Sequence, residues 1–149
     1  MDEIIIDGIK LHDLNKIYNP MGDILHAMKK SDNDYINFGE VYFSSIKSGC
    51  IKGWNIHSKM TLNLIVPTGK VFFVIFDNRE KSTTRGEYVE IELSLNNYKR
   101  LTVPPNLYVA FKGTGKSDSL ILNIADLEHD PNEVKKIDLD SIDYNWDNI

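Results

Sequence analysis

The sequence predicts an all-β sandwich or barrel. About eight to ten short apolar stretches of strand length run along the chain. Clusters of Gly, Pro, Asn and Asp separate them at fairly regular spacing. Apolar repeats at helical spacing are almost absent. With 149 residues the chain makes one domain, residues 1–149, large enough to bury a core.

Taken in order, Ile4 to Leu11 reads as a short strand rich in isoleucine. Asn19-Pro20-Met21-Gly22-Asp23 is a turn, and Ile24 to Met28 a second strand candidate. Lys29 to Asn37 is polar and reads as a surface loop, whereas Glu40 to Ile46 alternates as a strand. Leu62 to Val66 is apolar and runs into a Pro67-Thr68-Gly69 turn. Lys70 to Asp77, β-branched and aromatic throughout, is the strongest strand signal, and its continuous apolarity predicts burial on both faces. Tyr88 to Leu93 alternates and should be half exposed. Leu93 to Asn97 turns the chain, Arg100 to Val103 leads into Pro104-Pro105, and Leu107–Phe111 and Ser119–Ile124 supply the last strands. Gly113 to Ser117 reads as a hairpin turn, since it lacks the spacing of a phosphate-binding loop. Beyond Asp126 the chain is acidic, with a short helix expected over Pro131 to Lys136 and Trp146 docking the tail.

A net charge of −5 argues against a general nucleic-acid binder. No apolar run approaches membrane-spanning length, and Met1-Asp2-Glu3 lacks the basic start of a signal peptide, so a cytoplasmic protein is expected. Cys50 is the single cysteine, which rules out an intrachain disulfide and suits a buried thiol.

The stretch from Gly49 to Asn63 concentrates the polar chemistry: Lys52, Asn55, His57 and Lys59 fall between strands, where they suit a pocket wall. Asn55, His57 and Lys59 are spaced by two and would share one face of a strand. That face is the interior if Trp54 and Ile56 point outward, and the rim if they point inward. A metal would want two histidines and a carboxylate, and asparagine takes one of those places, so neither metal nor cofactor is expected. His12 and His26 read as surface or edge residues, and His129 as a solvated turn residue.

The order of motifs resembles the dTDP-4-dehydrorhamnose 3,5-epimerase family over nearly the whole chain. Asn19 to Leu25 is similar to its D-x-R-G-x-L segment, with Met21 in place of arginine. Gly49 to Asn55 is similar to G-x-x-R-G-L-H, with Lys52 for arginine and Asn55 for histidine. Asp77-Asn78-Arg79 with Ser82-Thr83-Thr84 resembles D-x-R-x-x-S-P-T, and Val103 to Phe111 resembles V-P-P-G-x-x-H-G-F, with Val109 for histidine. The acidic close, from Asp130 to Glu133 and from Ile142 to Trp146, resembles the family's ending.

This resemblance implies a double-stranded β-helix, the cupin jelly roll, with a short helical tail, paired as a homodimer. It implies a nucleotide-linked 4-keto sugar as ligand. It also implies a histidine base oriented by a carboxylate, and a tyrosine returning the proton from the facing strand. Asn55 occupies the place of the base and Leu122 or Asn123 that of the tyrosine, which leaves His57 as the catalytic candidate, aided by Lys59, Tyr42 or Tyr108. Lys52, Asn55, Lys59, Asn63, Arg79, Tyr108 and Lys112 are the candidate substrate-binding residues. The function implied is a divergent sugar-nucleotide epimerase or isomerase of cell-surface polysaccharide precursor synthesis. The related cupins that shift a keto group between C3 and C4 carry Gly-x-His-x-His-Lys, of which Gly53, His57 and Lys59 keep part. The alternative is a protein that binds a nucleotide sugar or glycan on this fold without turning it over.

Overall fold

A computed structural model describes residues 4–149. Twelve strands form along them: β1 Lys10–Asp13, β2 Lys16–Ile17, β3 Ile24–Leu25, β4 Glu40–Ile46, β5 Ile51–His57, β6 Leu62–Thr68, β7 Lys70–Phe76, β8 Tyr88–Ser94, β9 Lys99–Val103, β10 Tyr108–Gly113, β11 Ser119–Ala125 and β12 Val134–Lys136. Two five-stranded antiparallel sheets, ordered β1-β9-β6-β11-β4 and β12-β5-β10-β7-β8, face each other as a jelly roll. β2 and β3 make a separate small ribbon.

The strands follow the apolar pattern. Every second residue of β8 turns inward, burying Val89, Ile91 and Leu93 and leaving Glu90 and Glu92 to solvent. β7 is covered on both faces: Val71, Phe73 and Ile75 enter the core between the sheets, while Val74 packs into a second cluster outside. That outer cluster joins Trp54, Ala110, Ile142 and Trp146, so the C-terminal tail lies across the back of the second sheet. Trp54 is fully buried there, its Nε1 donating to the Leu139 carbonyl at 3.1 Å and its ring 5.9 Å from that of Trp146. Trp146 docks the tail, as its place near the chain end suggested.

Several elements differ from expectation, for local reasons. The first strand begins at Lys10, because the chain turns through Gly8 at φ 93° before it pairs with β9. The second candidate shortens to Ile24–Leu25. β6 runs through Pro67 and Thr68, and the turn falls on Gly69 at φ 85°. Gly113 to Ser117 carries the chain from one sheet to the other and is no hairpin, since β10 and β11 lie in different sheets. Pro131 to Lys136 is not a helix: its second half is β12, which pairs with β5, Val134 opposite His57. A six-residue segment gains little from helical hydrogen bonds, whereas the open edge of β5 offers it ladder partners. Helical geometry survives as a single 3-10 turn at Leu139–Ser141. Cys50, expected buried, is exposed in the turn before β5.

Candidate active site

β5 places the polar residues, and it does so through a bulge. Val109 of β10 faces Asn55 and Phe111 faces Lys52, so Gly53 and Trp54 together oppose the single residue Ala110. Two residues against one resets the strand's alternation. Lys52, Asn55 and His57 therefore all line the space between the sheets, although an odd number of positions separates the first two, while Trp54 turns to the tail. Gly53 is required at this point: its φ is 147°, and a side chain there would run into Ala110.

The space is a cavity of about 270 Å³. Its first-sheet wall carries Leu62, Leu64 and Ile121 with Tyr42, Ser44 and Asn123. The second-sheet wall carries Lys52, Gly53, Asn55, His57, Val109, Phe111 and, from β12, Lys136. An apolar floor with a few convergent polar groups is the usual make-up of a small-molecule site.

His57 Nδ1 lies 2.5 Å from Glu133 Oε1. Glu133 is almost fully buried, and its other oxygen accepts the backbone N–H groups of Lys59 and Met60, each at 3.1 Å. Burial alone would raise this carboxyl's pKa. The hydrogen bonds from His57, Lys59 and Met60, together with the imidazole's charge, outweigh it and hold the group below its ordinary value. Glu133 is thus an acceptor, which places a proton on Nδ1, so that in the uncharged tautomer the lone pair lies on Nε2. The geometry is fixed from behind as well: Ser58 donates its N–H to the Glu133 carbonyl at 2.7 Å, stitching the turn before β12 to the end of β5.

Opposite, Asn123 of β11 pairs across to Tyr42 of β4. Its Oδ1 accepts the Asn63 N–H at 3.0 Å and its Nδ2 donates to the Tyr42 hydroxyl at 3.0 Å.

A family model described as dTDP-4-dehydrorhamnose 3,5-epimerase matches residues 22–149. The chain belongs to that family. The spore coat polysaccharide biosynthesis protein SpsL of Bacillus subtilis (strain 168) is 27% identical over 146 residues, covering 95% of this chain and 97% of that protein. The probable low-salt glycan biosynthesis epimerase Agl13 of Haloferax volcanii is 25% identical over 120 residues, 79% of this chain and 77% of that one. Among solved structures, a dTDP sugar isomerase from Desulfovibrio desulfuricans G20 superposes with a TM-score of 0.91 at 33% identity, covering 95% of this chain and 92% of that chain. The dTDP-4-dehydrorhamnose 3,5-epimerase of Sulfolobus tokodaii shares the fold, with a TM-score of 0.84 at 24% identity over 99% of this chain and 86% of that one.

Within this member of the epimerase family, the cavity brings together four of the residues expected from sequence: Lys52, Asn55, His57 and Tyr42. The other five lie elsewhere. Lys59 meets the site through its backbone N–H on Glu133, and its side chain does not line the cavity. Asn63 is buried behind the wall with its side chain committed: Nδ2 donates to the Ile124 carbonyl and Oδ1 accepts from Thr102. Arg79 is closed on Asp77, with Nε and Nη2 each 3.0 Å from that carboxylate. Tyr108 alternates with Val109 and so faces outward, against Phe76. Lys112 alternates with Phe111, and its Nζ donates to the tail carbonyls of Trp146 and Ile149 at 3.2 and 2.9 Å. Sequence reasoning did not propose Glu133, Ser44 or Lys136 for the site. Glu133 and Lys136 reach it through the pairing of β12 with β5, which nothing near them in the chain announces. Ser44 follows from Tyr42 by strand alternation once that face of β4 is known to look inward.

Proposed function

We propose that this chain is an epimerase acting on a nucleotide-linked 4-keto sugar in the synthesis of cell-surface polysaccharide precursors. One observation carries the reading: a buried carboxylate holds a histidine against the cavity wall with its second nitrogen free for a proton. A ketone acidifies the carbon beside it, so a base matched to neutral pH is the main chemical requirement. His57 Nε2 takes that proton, the C–H electron pair becomes the enolate double bond, and the carbonyl pair moves onto oxygen. Glu133 keeps the imidazole in the productive tautomer and stabilises the imidazolium that forms. Lys52 spends one N–H on the Ser45 carbonyl, and its remaining N–H groups, with those of Asn55 and Lys136, meet the substrate's oxygens and negative charge. The cavity is close to the lower limit of ligand sites, about 300 Å³, which suits a sugar ring inside and a nucleotide at the mouth. The names of the relatives, which include a glycan biosynthesis epimerase and a dTDP sugar isomerase, support the same substrate class. The homodimer and the cytoplasmic placement expected from sequence belong to this proposal. Val41 and Phe43, exposed on edge strand β4, favour pairing with a second copy, which sedimentation velocity would detect.

The test is incubation in deuterated water with a panel of nucleotide-linked 4-keto sugars, read by mass spectrometry. Exchange beside the ketone is expected, falling by about 10²- to 10⁴-fold in His57→Asn. Saturable binding of one sugar with no exchange across the panel would overturn the proposal and leave a binding protein.

A further inference from the structure

We propose that Asp126 is a positioning residue for the His57–Glu133 pair. By holding the Thr61 N–H it decides which donors Glu133 takes, and so where the other Glu133 oxygen points. Its consequence for catalysis rests on the reading of His57 as the base of an enolising site.

The turn between β5 and β6 presents three consecutive backbone N–H groups, from Lys59, Met60 and Thr61. Successive N–H groups that converge in a turn make a seat for anions. Two carboxylates share this seat. Glu133 Oε2 accepts from Lys59 and Met60, each at 3.1 Å, and Asp126 Oδ1 accepts from Thr61 at 2.7 Å. Met60, Thr61, Asp126 and Glu133 are all buried, so a donor released by one carboxylate is best satisfied by the other.

The two acids reach the turn by different routes. Asp126 directly follows β11, and Thr61 directly precedes β6, the neighbour with which β11 pairs. The first sheet therefore fixes the bond between them. Glu133 arrives on the turn before β12, a three-residue strand at the edge of the second sheet. Ser58 pins the Glu133 backbone, donating its N–H to that carbonyl at 2.7 Å, so the carboxylate is the part able to turn.

Asp126 thus takes Thr61 and leaves Glu133 the donors of Lys59 and Met60. In that seat Oε2 is spent on backbone, and Oε1 meets His57 Nδ1 at 2.5 Å. With the Thr61 N–H vacated, Oε2 would be drawn one donor along the turn and would carry Oε1 off the imidazole. The ring would then lose the acceptor that keeps a proton on Nδ1 and sets its orientation. Neither Asp126 nor Thr61 lines the cavity, so any effect on substrate runs through Glu133 and His57.

Asp126→Ala and Asp126→Asn are compared with the wild type by two readouts. Proton NMR of the ligand-free protein reads the His57 Nδ1–H as a signal downfield of ordinary amides. Exchange in deuterated water gives kcat and KM for the 4-keto sugar that the wild type exchanges. Alanine leaves Thr61 without its acceptor, so the downfield signal should vanish. The kcat should fall about 10- to 10²-fold with KM within about twofold, because Lys52, Asn55 and Lys136 are untouched. Asparagine keeps an oxygen for Thr61, so signal and kcat should stay near wild type. Asp126→Ser, whose oxygen stops one bond short, should behave as alanine does and replaces it if the alanine protein does not fold. A wild type without the signal, or an alanine or serine protein that keeps it, would overturn the role. So would an asparagine protein as impaired as the alanine one. A wild type that shows the signal but no exchange is a different result. It removes the enolising reading, while the NMR comparison still decides whether Asp126 holds the pair in place.

Discussion

Two buried carboxylates, Asp77 and Glu133, show how similar networks come to serve different ends. Both are nearly inaccessible and both collect several donors. Around Asp77 the network is closed. Oδ1 accepts the Arg79 backbone N–H and Nε, and Oδ2 accepts Arg79 Nη2, Ser82 Oγ at 2.6 Å and Thr84 Oγ1 at 2.7 Å. These donors tie the loop after β7 into one unit, and Arg79 Nη2 reaches on to the Asp7 carbonyl at 3.2 Å. Around Glu133 the network is open at one point: Oε2 is saturated by backbone, but Oε1 holds an imidazole whose other nitrogen has no partner among the described residues. A buried charge becomes chemical when its network leaves one valence facing a cavity. Otherwise it is architecture.

The sharpest way to break this contrast is to remove one member from each network. His57→Asn should cost the exchange reaction the 10²- to 10⁴-fold loss expected of a general base, about 3 to 5 kcal/mol in barrier, with a far smaller change in urea midpoint. Asp77→Asn should reverse the pattern. It strips the charge from a buried pair with Arg79, which typically costs about 3 to 5 kcal/mol of stability, while exchange by the folded fraction stays within about twofold. Asp77→Asn with intact stability and lost exchange would show that the closed network also serves the chemistry.

Acid titration of stability tests the same difference with a smaller effect. Burial would raise the carboxyl of Asp77, but the hydrogen bonds from Arg79, Ser82 and Thr84 hold it well below its ordinary 3.8, and Glu133 is held below its ordinary 4.5. A carboxyl that is a stronger acid when folded binds protons more readily in the unfolded chain. Its stabilisation is complete above the unfolded values and drains away as pH falls through them toward the folded ones. Each unit of difference is worth about 1.4 kcal/mol. Asp77, the more strongly shifted, should carry the larger share, so Asp77→Asn should flatten the stability profile below about pH 4.5 more than Glu133→Gln does. Equal flattening in urea titrations between about pH 3 and pH 7 would contradict this ordering of the two sites.

Sequence made the sheets legible because burial writes itself locally: Lys70 to Phe76 and Tyr88 to Leu93 sit where their apolar patterns put them. The stretch around His57 was legible as a site because polar groups crowded there against strand-forming neighbours. What lay beyond reach was parity and distance. The bulge at Gly53 and Trp54 decides that Lys52 and Asn55 share a face, and a strict alternation cannot express it. Tyr108 and Lys112 were expected at the site from family pattern and charge, yet strand alternation on β10 turns both outward. Arg79 was expected at the substrate for the same reasons, yet the buried Asp77 beside it holds the guanidinium closed. Glu133 is separated from His57 by 76 residues, and only the folded sheet joins them.

Lys112 gives the smallest and most discriminating test of that division between wall and back. Expected at the substrate, it instead ties the tail across the outer cluster through the Trp146 and Ile149 carbonyls. Lys112→Met keeps most of the aliphatic stem and deletes the charged donor, so the loss should be that of hydrogen bonds from a charged group, about 1.5 to 3 kcal/mol at most. The tail that it loosens carries Trp146 and Tyr144, which pack on Trp54, so near-ultraviolet dichroism should weaken at wavelengths where these rings absorb. The KM for the nucleotide sugar should stay within about twofold, because β10 alternation turns Lys112 from the cavity wall that Phe111 occupies. A KM raised tenfold with the aromatic signal intact would return Lys112 to the substrate and show that the bound protein exposes a face the unliganded fold keeps at its back.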